Sequence, residues 1–194
     1  MIQEILLKKK KFVVESQLAE HPDHSTYVCV YSGVHYMVRV FQKDYEQVLA
    51  DYKKLRHAGI EMAKIAFHDD DRKVIAFDYF PEPDCLEELS KGPLDDEHFR
   101  ALFFLYRMAR LSKVGLDWQP QNFMLRGSQM FYLPIKVREL SDETRLEKNG
   151  LQYWFHGKDC LANLERKGYK TDGLPHLSDP ELNKKMALIA VKYY

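Results

Sequence analysis

Stretches of β-branched and aromatic residues dominate the first 80 positions of the chain and predict strands. Residues 6–15 form one such stretch, and residues 26–41 contain two more on either side of Ser32-Gly33, which is typical of a β-hairpin. Residues 62–67 and 73–79 predict two further strands with a polar turn between them. With the helix predicted below, the order is three strands, one helix and two strands.

Hydrophobic residues at helical spacing predict two helices, and a capping pattern predicts a third. Between residues 44 and 57 they recur at intervals of three and four, with Asp44 as the predicted N-cap and Gly59 as the predicted C-cap. A second helix is predicted from Asp95 to about Val114. The sequence Ser-Asp-Pro-Glu at residues 178–181 has the spacing of a capping box and predicts a last helix that reaches the C-terminus.

The segments between these helices predict turns and another hairpin. Prolines 81, 83 and 93 punctuate the middle of the chain and predict a short turn that links its two halves. Residues 122–125 and 129–134 predict a pair of short strands around a turn that contains Gly127. Residues 136–177 show no clear periodicity.

Composition and charge limit the classes of partner that we expect. The 194 residues are 45% hydrophobic, and 29 Lys and Arg balance 29 Asp and Glu, so neither nucleic acid nor a membrane surface is an expected partner. The chain has no signal-peptide pattern and no run of 18 hydrophobic residues. Cys29, Cys85 and Cys160 lie far apart, which disfavours a disulfide framework or a cysteine-based zinc site. We therefore expect a cytoplasmic protein.

The segment GLDWQPQNFML, residues 115–125, carries the strongest candidate chemistry. Asp117 and Asn122 stand five residues apart with Pro120 between them. They resemble the Asp-x-x-x-x-Asn catalytic loop of protein kinases. The resemblance implies that Asp117 is the base that accepts the substrate hydroxyl proton and that Asn122 is a magnesium ligand. Since Asp and Asn are also ordinary turn residues, a purely local role is the alternative.

Two other segments extend the resemblance to the nucleotide site of a minimal, bacterial-type protein-kinase-like fold. YMVRVFQK resembles the strand that carries the phosphate-pairing lysine, with Arg39 at the lysine position and Met37 at the usual alanine position. AFDYFPEPD resembles the hinge between the lobes, with Phe77 guarding the deep pocket. The residues that the resemblance places around ATP are Arg39, Met37, Asp78, Phe80, Asp84 and Asn122.

The chain departs from the kinase pattern where phosphates and metal would bind. Residues 15–27, between the first strands, contain no glycine, although a loop that covers phosphates needs close backbone approach. Gly115-Leu116 replaces the His-Arg pair before the catalytic aspartate. Pro134 aligns with the metal-binding aspartate, and proline has no anionic oxygen. Glu139 and Asp142 are the candidates to replace that carboxylate.

The acidic partner of Arg39 is also open. A kinase carries a glutamate on the helix that follows this strand, and Val48 stands at that position here. Glu46 and Asp51 are the nearest acidic candidates on the helix, and a solvated helix face is the alternative explanation for both.

The resemblance predicts an α+β, two-lobed protein-kinase-like fold. Residues 1–80 would form a small antiparallel-sheet N-lobe, and residues 81–194 a reduced helical C-lobe with the catalytic loop. The implied ligands are ATP and Mg²⁺, and the implied phosphoacceptor is a protein or a small molecule. The accumulated departures favour a pseudokinase-type binding or regulatory module with a weakened nucleotide site. The alternative is an active ATP-dependent phosphotransferase that uses Asp117 as base and Asn122 for magnesium.

Overall fold

The computed structural model describes residues 3–194, a mixed α/β chain that divides into two compact units. The sheet unit contains the chain up to Ala50 together with Ala63–Pro81, and the helical unit contains Asp51–Met62 and Glu82–Tyr194. This division falls close to the predicted boundary after residue 80, but residues 51–62 belong to the helical unit although they precede two strands of the sheet. That these units correspond to kinase lobes stays a prediction.

Six antiparallel strands form the sheet unit, in the order β1-β2-β3-β4-β6-β5. Residues 6–15, predicted as one strand, belong instead to β1 and β2, because the chain turns at Lys8, where φ is 55°. The hairpin at Ser32-Gly33 is confirmed, with φ of 53° and 77°. The strands are β1 Glu4–Leu7, β2 Lys10–Glu20, β3 His24–Tyr31, β4 Val34–Phe41, β5 Ile65–Asp69 and β6 Val74–Asp78.

The predicted first helix is confirmed as α1, Tyr45–His57. Asp44 directly precedes it with a φ of 61°, and its main-chain carbonyl accepts the first hydrogen bond of the helix, from the N–H of Val48 at 2.9 Å. A cap by the side chain of Asp44 stays a prediction. Gly59 ends the helix as predicted, with a φ of 73° that suits glycine because it has no Cβ.

One face of the sheet packs into a hydrophobic core. Side chains alternate between the two faces of a strand, so Met37 and Arg39 lie on the face opposite to Val38. In the β4–β6 register Met37 is beside Phe77, and Arg39 is beside Ile75. The buried residues of the core are Ile5, Leu7, Phe12, Tyr27, Cys29, Val38, Val74 and Ala76.

The carboxylate of Asp69 accepts hydrogen bonds from two turns of the sheet unit. It is buried, and it accepts hydrogen bonds from the backbone N–H groups of Lys8 at 2.6 Å, Asp71 at 3.2 Å and Arg72 at 3.1 Å. The hydrogen bond from Lys8 contributes most to lowering the pKa of Asp69, with the bond from Arg72 next. The folded protein therefore prefers the ionised form of this side chain.

We expect Asp69 to make the stability of the protein depend on acid pH. Because its folded-state pKa lies below the ordinary value of about 3.9, its contribution is present above that pH and is lost as pH falls through the folded-state value. Asp69→Asn should reduce the acid loss in the free energy of unfolding, measured by urea denaturation from about pH 7 to about pH 3. Asp71→Asn is the matched control, and an unchanged acid slope in Asp69→Asn would contradict the prediction.

After α1, the described part of the helical unit contains five α-helices and four short strands. Residues 85–89, predicted as a turn, form the short helix α2, because the carboxylate of Asp84 accepts a hydrogen bond from the backbone N–H of Glu87 at 2.9 Å and caps it. The helices are α2 Cys85–Leu89, α3 Asp96–Leu111, α4 Leu146–Asn149, α5 Lys158–Arg166 and α6 Asp179–Tyr193. The strands are β7 Val114–Gly115, β8 Phe123–Arg126, β9 Gln129–Tyr132 and β10 Arg138–Glu139.

Sequence signals set the ends of the two long helices of this unit. Asp95 caps α3 by accepting hydrogen bonds from Glu97 at 3.0 Å and His98 at 3.2 Å, and α3 ends at Leu111 rather than near the predicted residue 114. The predicted capping box at Ser178 is confirmed at the start of α6. Within residues 3–194, no helix has the length and apolar character needed to cross a membrane.

Candidate functional site

The loop that contains Asp117 and Asn122 lies between β7 and β8 in the helical unit. A short 3-10 turn, Pro120–Asn122, closes the loop, and the backbone N–H of Asn122 donates to the carbonyl of Gln119 at 2.9 Å. The side-chain amide of Asn122 donates to the main-chain carbonyl of Asp117 at 3.2 Å. The structure therefore brings these two predicted residues together in one hydrogen-bonded loop.

A cluster of buried aromatic rings packs against this loop. Trp118 and Phe123 stack with ring centroids 5.5 Å apart, and Trp154 packs 5.4 Å from Phe123. The indole N–H of Trp154 donates to the carbonyl of Trp118 at 2.7 Å, and that of Trp118 donates to the carbonyl of Thr144 at 2.7 Å. Because both indole donors are satisfied by main-chain acceptors, the cluster fixes the backbone on which Asp117 and Asn122 stand.

The carboxylate of Asp117 forms an ion pair with Arg138. Its Oδ2 atom lies 3.1 Å from Nη2 of Arg138, while the side chain of Asp117 stays 31% exposed. The backbone N–H of Asp117 donates to the hydroxyl of Tyr132 at 3.4 Å. The residue predicted as a base therefore has a cation within hydrogen-bond distance of its carboxylate.

Sequence reasoning missed Arg138, because only strand pairing brings it to the loop. β7 and β10 pair antiparallel, with Arg138 opposite Gly115. Gly115 permits this pairing, since a Cβ at that position would lie 2.4 Å from the main-chain oxygen of Glu139. Gly115 occupies the place of the family's histidine, so this departure from the kinase pattern has a structural reason. A two-residue strand carries too little periodicity for its pairing to be predicted.

A main-chain hydrogen bond joins the segment that contains Pro134 to Asn122. It follows β9, and the N–H of the preceding residue, Leu133, donates to the carbonyl of Asn122 at 2.9 Å. A proline side chain has no oxygen with which to bind a cation. At the position that the resemblance assigns to a metal-binding aspartate, the chain therefore supplies only main-chain atoms.

The two predicted replacements for that aspartate differ in the surroundings of their carboxylates. Asp142 lies 3.2 Å from Arg145 and also pairs with Lys148, and these cations, Lys148 first, lower its pKa. Glu139 is exposed on β10, where it pairs in register with Val114. The magnesium role of Asn122 stays a prediction without an identified carboxylate partner.

Arg39 lies on β4 of the sheet unit with its guanidinium over the ring of Phe77, 5.6 Å from the ring centroid. Its Nε atom is buried and has no hydrogen-bond partner among residues 3–194. Burial lowers the pKa of Arg39 to about 10, so the side chain remains a cation at neutral pH. The acidic candidates have other partners, since Glu46 pairs with Lys73 and Asp51 accepts from the backbone N–H of Val137 at 3.1 Å.

The predicted hinge residues lie at the end of β6 and just after it. Phe77 is fully buried, and Asp78 closes the strand with its N–H donating to the carbonyl of Lys64 at 2.9 Å. Phe80 is partly buried in the same unit. Asp84 is in the helical unit, where it caps α2 and where burial raises its pKa. The nucleotide contacts assigned to these residues stay predictions.

Comparison with known proteins identifies the fold. No protein-family model matches the chain, and no curated protein matches its sequence. Its structure is similar to the crystal structure of the BubR1 kinase domain, with a TM-score of 0.51 and 12% identity over 71% of this chain and 50% of that chain. The chain has a protein-kinase-like fold. It spans about half of the BubR1 kinase-domain chain.

A second solved structure is similar over more of its own length. It is the kinase domain of PknI from Mycobacterium tuberculosis, in a cysteine mutant, with a TM-score of 0.48 and 12% identity over 79% of this chain and 72% of that chain. At such identities a structural likeness defines the fold alone, and activity has to be argued from the residues of the site.

Proposed function

We propose that this kinase-like chain is a pseudokinase-type binding or regulatory module whose nucleotide site is too weak for phosphoryl transfer. The observation that carries the proposal is the position of Pro134, which the hydrogen bond from Leu133 to Asn122 holds beside the predicted magnesium ligand. Magnesium binds through a few carboxylates together with phosphates and water. Proline supplies no carboxylate, so the chain carries no acidic side chain at the position that the resemblance assigns to the second magnesium ligand.

The ion pair between Asp117 and Arg138 supports the same proposal with less weight. The guanidinium of Arg138, 3.1 Å from Oδ2 of Asp117, occupies a hydrogen-bonding position that a substrate hydroxyl would otherwise take. Ion pairs exposed to this extent contribute roughly 0.2–1 kcal/mol to stability. This pair therefore changes the equilibrium between the paired and the unpaired carboxylate by a few-fold at most. The missing metal carboxylate is the stronger reason for an inactive site.

Two observations favour the alternative, an active phosphotransferase. The side chain of Asp117 is 31% exposed, so a substrate hydroxyl can reach it once Arg138 moves aside. The Nε donor of Arg39 is buried without an acceptor in the described part of the chain, and a phosphate oxygen would satisfy it. In that case Asp117 would accept the hydroxyl proton of a protein or small-molecule acceptor.

A thermal-shift titration with ATP and Mg²⁺ separates these functions. We expect no magnesium-dependent rise in the Tm of the wild type, because ligands stabilise a protein only when they bind its folded state. Pro134→Asp places a carboxylate beside Asn122, and we expect a magnesium-dependent rise in Tm to appear. Pro134→Asn is the matched control, since it removes the proline without adding charge.

The opposite result would establish the alternative. If the wild type shows a magnesium-dependent rise in Tm and transfers phosphate from ATP to a general acceptor, the pseudokinase proposal is wrong. Asp117→Asn would then test the base, since it should keep nucleotide binding and lose transfer by about 10²-fold or more. Unchanged transfer in that variant would remove Asp117 from the mechanism.

A further inference from the structure

Three side chains with metal-ligand chemistry meet where α2 lies beside the start of α3. Cys85 is the first residue of α2, Glu88 follows one turn later, and His98 lies in the first turn of α3. One ligand atom from each residue lies within 4.8 Å of the other two. Cys85 is fully buried and His98 is 8% exposed, so this cluster is not an ordinary surface group of polar residues.

The imidazole of His98 is oriented as in metal-binding histidines. Its Nδ1 atom lies 2.7 Å from Oδ1 of Asp95, the residue that caps α3. Its Nε2 atom faces the carboxylate of Glu88. Histidine ligands usually hold one ring nitrogen against a carboxylate, which fixes the tautomer and presents the other nitrogen to the metal. Asp95 is placed to do this for His98.

An ion pair alone explains only part of the cluster. The contacts of His98 with Asp95 and Glu88 account for both carboxylates, but they do not involve the thiol of Cys85, which donates only a weak hydrogen bond to the sulfur of Met130 at 3.9 Å. Burial, and then the charges of Glu88 and Asp84, raise the pKa of that thiol, while a hydrogen bond with the backbone of Leu125 lowers it. Without a cation the thiol keeps its proton, whereas a divalent cation would reverse both the burial and the charge effects.

We propose that Cys85, Glu88 and His98 bind a zinc ion. The ligands would be the thiolate of Cys85, Nε2 of His98 and one carboxylate oxygen of Glu88, with a fourth position open to water. Thiolate, imidazole and carboxylate together suit Zn²⁺, whereas Mg²⁺ and Ca²⁺ prefer sets of oxygen ligands. Binding requires the thiolate of Cys85 and an unprotonated Nε2 of His98, so the thiol proton is released to solvent.

The geometry requires only a small adjustment. With zinc bond lengths of about 2.0–2.3 Å, ligand atoms of a tetrahedral site lie roughly 3.3–3.8 Å apart. The present separations, up to 4.8 Å, exceed this by about 1.0–1.5 Å. Nε2 of His98 and the carboxylate of Glu88 are in direct hydrogen-bond contact and have to separate to admit the ion. Met130 lies next to the cluster, with its sulfur 3.9 Å from that of Cys85, and closes one side of the site with a soft, apolar group.

Zinc titration of the full chain tests the proposal. Protein stripped with a chelator should take up one equivalent of Zn²⁺ in competition with a chromophoric chelator. Cobalt in place of zinc should give a thiolate-to-metal charge-transfer band in the near ultraviolet. Cys85→Ala and His98→Gln should weaken zinc binding by at least about 100-fold, since even outer-shell changes cost 10–100-fold. Cys160→Ala, a substitution at another fully buried cysteine, should bind as the wild type does.

Two results would overturn the zinc site. One is a folded wild-type protein that binds no zinc or binds cobalt without the thiolate band, a result that does not depend on whether any variant folds. The other is Cys85→Ala, shown to be folded by circular dichroism, with zinc affinity equal to that of Cys160→Ala. The outcome does not depend on the proposed function, because neither Asn122 nor Pro134 belongs to the cluster.

Discussion

Phe123→Ala should lower the free energy of unfolding by about 3–5 kcal/mol, the usual cost of removing a buried aromatic ring. Phe123 is fully buried and directly follows Asn122, and its ring contacts those of Trp118, Tyr132 and Trp154. Truncation would leave a cavity under the candidate loop that these stiff rings cannot easily fill. Folded proteins are stable by only about 5–15 kcal/mol, so this single change removes a large share.

Urea denaturation followed by tryptophan fluorescence measures this effect. Trp118 and Trp154 are the two tryptophans of the chain, and both lie in the cluster, so their emission reports on the helical unit. Phe104→Ala is the control, because Phe104 is 59% exposed on α3 and its loss should change stability by less than about 0.5 kcal/mol. Equal stability of the two variants would show that the cluster repacks around the cavity.

Gly115→Ala should destabilise the protein by about 1–3 kcal/mol through overpacking. The added Cβ would lie 2.4 Å from the main-chain oxygen of Glu139 and 2.7 Å from the hydroxyl oxygen of Thr144. A main-chain atom cannot move aside alone, so β10 would have to separate from β7. The substitution should also break the ion pair between Asp117 and Arg138, since strand pairing positions Arg138.

Gly157→Ala is the matched control for this prediction. A Cβ at Gly157 would also come close to a neighbour, at 2.7 Å, but the atom that it meets is a methyl group of the flexible Leu182 side chain. We expect a loss below 1 kcal/mol there, mainly from a weaker N-cap of α5, and a larger loss for Gly115→Ala in the same denaturation experiment. Equal losses would mean that β10 yields as easily as a side chain.

Local patterns predicted the longer elements because each carries its own signal. The capping box at Ser178, the helix end at Gly59 and the hairpin at Ser32-Gly33 each depend on residues a few positions apart. The short elements failed for the opposite reason. Five residues of α2 show no helical period, and the turn at Lys8 has no glycine or proline to mark it.

In the candidate site, too, features that depend on neighbouring residues were predicted, and contacts that depend on strand pairing were not. Asp117 and Asn122 were found together because their spacing within one loop is a local feature, and the structure joins them by a hydrogen bond. Arg138 was not found, because its position depends on the pairing of two strands that are each two residues long. That Arg39 and Asn122 contact one ATP stays a prediction.

The sequence by itself determined the alternation of strands and helices and the spacing of Asp117 and Asn122 in one loop, since each is encoded in neighbouring residues. Only the tertiary structure decided which side chains meet across the chain: Arg138 with Asp117, and Cys85 and Glu88 with His98. Widely spaced cysteines gave no sign of a metal site, because ligands from different helices converge only when those helices pack. Packing is a property of the whole chain, and no local pattern contains it.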